Sequence, residues 1–304
     1  MRYISKAGSL FCALLMLLAP ACSGAEDLTV AFINVGQGDG TVIQTPSGKT
    51  IVIDAGKGAT PYSSWDGGCK AIAPYLEEHG IKKIDMVVAT HPDWDHIGGI
   101  PYLLENFEIG TVLDCGVPHT TETYKKYLEL VKKKGIKFRI AIPGQVLDWG
   151  DGVTAEVLAP EGTIEKRQGA HDLNNVSIVI KLTHGDVSFM LVGDCGIEEE
   201  GTITPVYGPR LKSNILRAGH HGSDTSSGAD FANLVSPEVV IISAGKRNKF
   251  GHPKRNIVDR FERMGSKIYR TDFSGNIIVK SNGKDYEISR EYDKKKKTGT
   301  KAEG

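Results

Sequence analysis

Three short runs rich in apolar and β-branched residues begin the pattern: "LTVAFINV", "GTVIQTP" and "KTIVIDAG", separated by Gly-rich or Ser-Gly turns. Runs of that length bounded by turn residues predict an antiparallel meander. The pattern then changes. "AIAPYLEEHG" reads as a helix and hands over to the apolar strand "KIDMVVATH", and "IPYLLENF", "TVLDCG" and "TYKKYLELVKKKG" continue as helix, strand and helix. "TAEVLAP" and "VSIVIKLTHGDVSFMLVGD" then give strands, the longer stretch folding back through a His-Gly-Asp hairpin. Beyond residue 210 the alternation resumes, with strands in "LKSNILRAG", "EVVIISAG", "KIYRTD" and "NIIVKS" and helices in "GADFANLVS" and "RNIVDRFERMG".

Mixed sheets bracketed by helices in both halves predict an α+β fold, a four-layer αββα sandwich with the sheets inside. It is expected to form one domain from about residue 26 to 289, since no repeat or Pro/Gly-rich linker divides it. The tail "REYDKKKKTGTKAEG", residues 290–304, holds no apolar residue beyond Tyr292 and Ala302 and is expected to be disordered. A chain of 304 residues with 40% hydrophobic content can bury a full core.

The first 25 residues, "MRYISKAGSLFCALLMLLAPACSGA", have a basic start, an apolar run from Leu10 to Leu18 and a small-residue end, the layout of an export signal. The run is too short to span a bilayer, so the mature chain is expected to carry no integral span. Cleavage after Ala21 or Ala25 satisfies the small-x-small rule, whereas Cys22 makes the stretch resemble a lipoprotein signal despite Ala19 and Pro20. Either route takes the chain out of the cytoplasm, to the periplasm or exterior, free or lipid-anchored through Cys22. Losing Arg2 and Lys6 leaves 35 basic against 37 acidic residues, a net charge of −2, so no bulk basicity advertises nucleic acid. Cys69, Cys115 and Cys195 then remain, without metal-type spacing, and are read as buried small hydrophobes.

One stretch departs from all this. "ATHPDWDHIGG", residues 89–99, packs His91, Asp93, Asp95 and His96 into six positions at the end of a strand. A helix through the whole motif would fail, because histidines five apart would point about 140° from each other. In an extended or turning segment, residues two apart face the same way. His91 and Asp93 can then reach one ion while Asp95 and His96 turn to another, so the spacing suggests two ions.

"THPDWDHIGG" resembles the HxHxDH signature of the metallo-β-lactamase superfamily, with Asp93 in place of the second histidine. Together with "FINVGQGDG", "VIDAG", "VGD", "AGHHGS", "ISAGKRNKFGHP" and "YRTDFSG", it closely resembles the exported hydrolase domain of ComEC-type competence DNA-uptake proteins over nearly the whole mature chain. The membrane channel that accompanies that domain is not expected here, so the resemblance implies a free-standing relative. The resemblance implies metal ligation by His91, Asp93, Asp95, His96, Asp194 and His220, with Asp194 bridging both ions. His221 is then expected to line the site or bind substrate, although which of the two adjacent histidines ligates stays open. His252 is a candidate for substrate contact or proton transfer. Asn174 and Asn175 stand where many superfamily members carry another metal-binding histidine. Asn175 is therefore placed with Asp95, His221 and His252 in the catalytic set, and Asn174 with Ser223 among substrate contacts. Asp39 and Asp54, charged residues at apolar strand ends, are expected to support the ligands from behind. His171 and His184 fit no motif and read as loop and hairpin residues.

A pair of ions about 4 Å apart can hold a shared hydroxide and clamp both oxygens of a phosphodiester in hydrolysis. Asp93 in place of an imidazole makes one site harder, so manganese or iron rivals zinc as the divalent metal. The run "KRNKFGHPKR", residues 246–255, concentrates Lys246, Arg247, Lys249, Lys254 and Arg255 around His252, with Asn248 among them. Beside a metal site such a run points to an anionic substrate, DNA, RNA or another phosphodiester, with Arg210, Lys212 and Arg217 adding to it. Two other readings stand beside this phosphodiesterase or nuclease: a lactam, lactone or small-ester hydrolase, and a non-catalytic metal-binding module.

Overall fold

The computed structural model describes residues 27–58, 67–162, 166–167 and 172–293. Cys22, the expected leader, His171, the side chain of Cys69 and residues 294–304 lie outside them.

Fifteen strands among the described residues form two mixed sheets. In the first, β1 (Leu28–Phe32), β2 (Thr41–Gln44) and β3 (Thr50–Ile53) make the antiparallel meander, and β4 (Lys83–Ala89), β5 (Glu108–Asp114) and β6 (Lys137–Ile140) continue it in parallel. The second sheet comprises β7 (Val146–Leu147), β8 (Thr154–Ala159), β9 (Val179–His184), β10 (Val187–Leu191), β11 (Ile215–Arg217), β12 (Val239–Ile242) and β13 (Lys267–Arg270). Strands β10 to β13 run parallel. The chain then returns to the first sheet as β14 (Ile277–Ser281), beside β1, and β15 (Tyr286–Arg290).

Period-two alternation sorts each strand between layers. Met86 and Val88 of β4 join the core between the sheets, where they meet Phe32, Trp149, Ile180 and Phe189. Val87 and Ala89 face the other way, onto the helical layer built from Ile72, Leu103, Leu104 and Tyr127. The second sheet does the same, with Met190, Leu216 and Val240 packed against Ile203, Phe231 and Phe261. The result is the expected four-layer αββα sandwich. Because β3, β4, β10, β11 and β12 all belong to parallel ladders, the loops leaving their C-terminal ends gather at one edge, where α/β sheets collect ligand sites.

Some elements escape the sequence pattern. β6 is mostly exposed and β7 has two residues, so neither shows a buried face to detect. The helix Ile197–Tyr207 contains Gly201 and Pro205 and lacks an apolar stripe. Only Ile215–Arg217 of "LKSNILRAG" enters the ladder. The ladder carries Arg290 opposite Ile277 and a helical turn reaches Asp293, past the expected boundary at 289. Cys115 and Cys195 are free and buried, and His184 sits buried at the end of β9 with its Nδ1 3.1 Å from Ser281 Oγ. Among the described residues no helix is long and apolar enough to cross a membrane.

Trp149 is 1% exposed between the sheets, its indole N–H donating to Met86 Sδ over 3.4 Å. Trp149→Ala removes that contact area and leaves a cavity, which costs about 3–5 kcal/mol. Urea unfolding should show this loss as a lower midpoint at unchanged slope.

Candidate metal centre

β4 ends at Ala89 and delivers Thr90 and His91 to this edge. Asp93 keeps an extended backbone, φ −68° and ψ 143°, and the chain turns into a single helical turn, Trp94–Ile97. No helix runs through both histidines: the helical turn begins after His91 and swings His96 back until the two imidazole centroids are 4.1 Å apart. Gly38 allows the neighbouring loop to close over this turn. Its φ of +145° and the Asp95 carbonyl oxygen, which a Cβ would overlap, leave room only for glycine.

The second sheet supplies the rest. Asp194 follows β10, and His220 and His221 follow β11 with left-handed backbones, φ 45° and 56°. Such values in non-glycine residues are strained and mark a segment held in place by its surroundings. Asp194 Oδ2 lies 3.2 Å from His96 Nε2, 3.2 Å from His221 Nε2 and 3.8 Å from His220 Nε2. Asp95 Oδ2 lies 3.5 Å from His221 Nε2, and Asp93 Oδ2 3.7 Å from His91 Nε2. Two sets, His91/His96/Asp194 and Asp95/His96/His221, each bring one potential ligand atom per residue within 4.8 Å of one another. The Nε2 atoms of His91, His96 and His221 are all buried without a hydrogen-bond partner. Buried polar atoms are rarely left unpaired, so three imidazole nitrogens converging on carboxylates fit a divalent cation.

Behind the ligand atoms stands a layer of supporting groups. Asp54 accepts hydrogen bonds from the Thr90 amide (2.9 Å) and Thr90 hydroxyl (2.7 Å), and its Oδ2 lies 2.7 Å from His96 Nδ1. His221 Nδ1 lies 3.0 Å from the Ser243 carbonyl and 3.3 Å from the Arg217 guanidinium, which turns Nε2 toward the carboxylates. His91 Nδ1 sits near the hydroxyls of Thr90 (3.1 Å) and Ser177 (3.3 Å). Arg217, 1% exposed, pairs with Asp39 at 2.9 Å and Asp194 at 3.4 Å and also bonds the Gly193 and Ala218 carbonyls.

Burial disfavours charge throughout the cluster, but specific partners decide the outcome. Burial alone would raise Asp194, yet His221 and His96 outweigh it and hold the carboxyl well below the usual range. Asp95 is likewise lowered against its own burial, by His221 beside it and by the charge of His96. Burial would lower His96, but Asp194 and Asp54 raise it well above an ordinary histidine. His91 goes the other way, lowered by burial and then by His96. Asp93 is raised by burial.

The structure thus brings His91, Asp95, His96 and Asp194 together, with Asp93 at their half-exposed edge and Asp39 and Asp54 behind. Of the adjacent pair, which the sequence left open, His221 is buried at Asp95 and Asp194, and His220 lies on the more open side. Other expected site residues have partners within the fold. Asn175 accepts from the Gly196 amide at 3.2 Å and donates to Glu198 at 3.0 Å, bracing the start of the helix Ile197–Tyr207 rather than the ligand cluster. Ser223 is buried and engaged with Thr225. Asn248 spends its amide on Gly245 and His252 within its own loop. The Asn174 amide donates to the Asp172 side chain, which caps the short turn Leu173–Val176, and Asn174 Oδ1 is buried without a hydrogen-bond partner. Arg210 pairs with Glu156, Arg255 with Asp259, and Lys254 donates to the Phe250 carbonyl. Lys246, Arg247 and Lys249 remain exposed on the loop whose His252 ring lies 5.5 Å from that of His220. His252 is pushed down to about 4 by burial and by His220 and His221. Cys195 packs into the helical layer, away from the cluster.

Sequence reasoning missed Thr90, Ser177 and the clamp role of Arg217. A signal existed for Arg217, a charge ending an apolar strand, as Asp194 does.

Two outcomes follow for the cation. Asp54→Asn removes the charge orienting His96 and should weaken divalent-metal affinity about 10- to 100-fold, read by competition with a chelating dye. His96 and His221 are raised toward protonation in the cation-free protein, so a bound metal must displace protons and apparent affinity must fall as pH drops. Calorimetric titration in buffers of different ionisation enthalpy should show that proton release.

Residues 33–246 match the Metallo-beta-lactamase superfamily. The chain is 30% identical over 280 residues to ComE operon protein 3 of Bacillus subtilis (strain 168), covering 89% of this chain and 35% of that protein. It is 30% identical over 257 residues to competence protein ComA of Neisseria gonorrhoeae, covering 84% and 33%. The chain therefore spans about a third of the length of these relatives. In structure it resembles CmlA, a diiron β-hydroxylase from Streptomyces venezuelae, with a TM-score of 0.53 and 13% identity over 87% of this chain and 54% of that one. That likeness concerns the fold alone. With the αββα sandwich, the match from residue 33 to 246 and the His/Asp cluster in register with it, the chain belongs to the metallo-β-lactamase superfamily and is related to ComEC-type competence proteins.

Proposed function

We propose that this chain is a two-metal-dependent phosphodiesterase that acts on nucleic acid outside the cytoplasm. The observation that carries the reading is the placement of Lys246, Arg247 and Lys249 on a loop that packs its His252 against His220, so that exposed positive charge borders the His/Asp cluster. His91, Asp93 and Asp194 would hold one divalent ion, zinc or manganese, and Asp95, His96, His221 and Asp194 the other. Ions bound there supply Lewis acidity toward a phosphoryl oxygen and lower the pKa of water.

The chain's own residues do the rest. His221 and His96 hold the Asp194 carboxyl well below the usual range and Arg217 pairs with it at 3.4 Å, so its carboxylate is available to both sites. The loop lysines and arginine attract the phosphate backbone. His252 is neutral at pH 7 and orients substrate by hydrogen bonding rather than by charge. An export leader over residues 1–25, with release or lipidation at Cys22, completes the proposal.

The test is hydrolysis of bis-p-nitrophenyl phosphate and DNA by protein reconstituted with manganese or zinc. Activity should fall to background in Asp95→Ala and His96→Ala. Replacing Lys246, Arg247 and Lys249 by Ala should flatten the dependence of log affinity for single-stranded DNA on log salt by about 0.7 per residue. Turnover of nitrocefin or a lactone by fully metallated protein, with phosphodiesters untouched, would replace this reading by small-ester or lactam hydrolysis.

A further inference from the structure

Three aromatic rings near the cluster each have a cation against them. Lys57 Nζ lies 5.6 Å from the Trp94 ring, Lys249 Nζ 5.1 Å from Phe250, and Arg270 Cζ 4.3 Å from Phe273. Phe250 and Phe273 are 47% and 66% exposed although the fold has three well-filled apolar layers to receive such side chains.

Their positions are related by the sheet. Phe250 lies on the loop that follows β12 and Phe273 in the helical turn Thr271–Ser274 that follows β13, and these strands are parallel neighbours with Ile242 opposite Arg270. Thr271 ties the two loops together, its hydroxyl accepting from the Ala244 amide at 3.0 Å and contacting the Ala244 carbonyl at 3.2 Å. Phe250 stacks on His252, centroids 5.7 Å apart and planes 25° apart, and His252 meets His220. Phe250 therefore continues outward from the candidate ligands through His252, and Phe273 stands on the neighbouring loop tied to it through Thr271. Arg270 makes bonds of 3.0 and 2.7 Å to Asp272 and lies over the ring of Phe273, which stays 66% exposed.

A polymer arriving on this side meets flat apolar faces interleaved with positive charge. That alternation matches bases and phosphates of an unpaired strand, whereas in a duplex the bases are stacked on one another and only phosphates are presented. We infer that Phe250 and Phe273 form a stacking platform for unpaired nucleobases, so that the strand led to the cluster is single-stranded nucleic acid. This rests on the phosphodiesterase reading, which names the polymer's linkage but not its strandedness.

The experiment compares binding of the metal-loaded chain to an oligothymidylate with phosphorothioate linkages, to a base-free oligomer of equal length and linkage, and to a duplex, by fluorescence anisotropy. The platform requires the oligothymidylate to bind about 5- to 150-fold more tightly than the base-free strand for each stacked base. Phe250→Ala and Phe273→Ala should each remove much of that preference, and Phe273→Trp should keep it. Equal affinity of the native chain for both strands, binding to neither, or full preference in the Phe250→Ala/Phe273→Ala double variant overturns the platform. Hydrolysis of bis-p-nitrophenyl phosphate by the same preparation separates the two ideas. Hydrolysis without base preference removes the platform alone, and base preference without hydrolysis removes the phosphodiesterase reading alone.

Discussion

His96 lies between two buried carboxylates, 2.7 Å from Asp54 on one ring nitrogen and 3.2 Å from Asp194 on the other. Asp54 ends β3 of the first sheet and Asp194 follows β10 of the second, so one imidazole ties the two halves of the sandwich at their open edge. The arrangement concentrates negative charge where water is excluded, and such charge must be paired or bound to metal. Arg217 answers part of it through Asp39 and Asp194. The unpartnered Nε2 atoms of His91, His96 and His221 leave a divalent cation as the natural occupant of the rest.

Holding those groups in place imposes local strain, and the surrounding loops carry it. Asp54, His220, His221 and Ser227 all adopt left-handed backbones. Glu200, buried on the helix Ile197–Tyr207, accepts the Ser227 and Gly228 amides at 2.6 and 2.7 Å. Those bonds anchor the far end of the segment that bears the two histidines. Burial pushes the Glu200 carboxyl up to about 7, against the pull of the same amides. The helix that follows Asp194 therefore also fixes the loop that follows β11, which couples three pieces of the site through one acid and the asparagine Asn175.

The division of labour between rim and centre has the same physical logic. Carboxylates and imidazole nitrogens sit deep, where low dielectric strengthens their attraction for a cation. Lysine, arginine and exposed phenylalanine stand outside, where charge attracts an anion without competing for the metal. Arg217 is the instructive exception: a cation at the centre, but turned onto carboxylates and backbone carbonyls that need it.

The sequence by itself determined the layers and the ligand-rich motif. Period-two strands and helical runs are local patterns, and four coordinating side chains in six residues have little structural use other than binding, so the αββα sandwich and the place of His91, Asp93, Asp95 and His96 were both legible. The export leader stayed a reading of sequence alone. Only the tertiary structure decided which side chains face which. His220 and His221 are neighbours of the same type, and it took their two left-handed backbones to send one into the cluster and leave the other at its edge. Asn175, Ser223 and Asn248 carry the same polar groups whether they meet substrate or brace a loop, and their partners come from residues up to 23 positions away. Arg217 could not be told from a substrate-binding cation until β11 was laid beside β10, which set its guanidinium against Asp194. Residue type is written in the chain, but direction is set by the packing of distant segments.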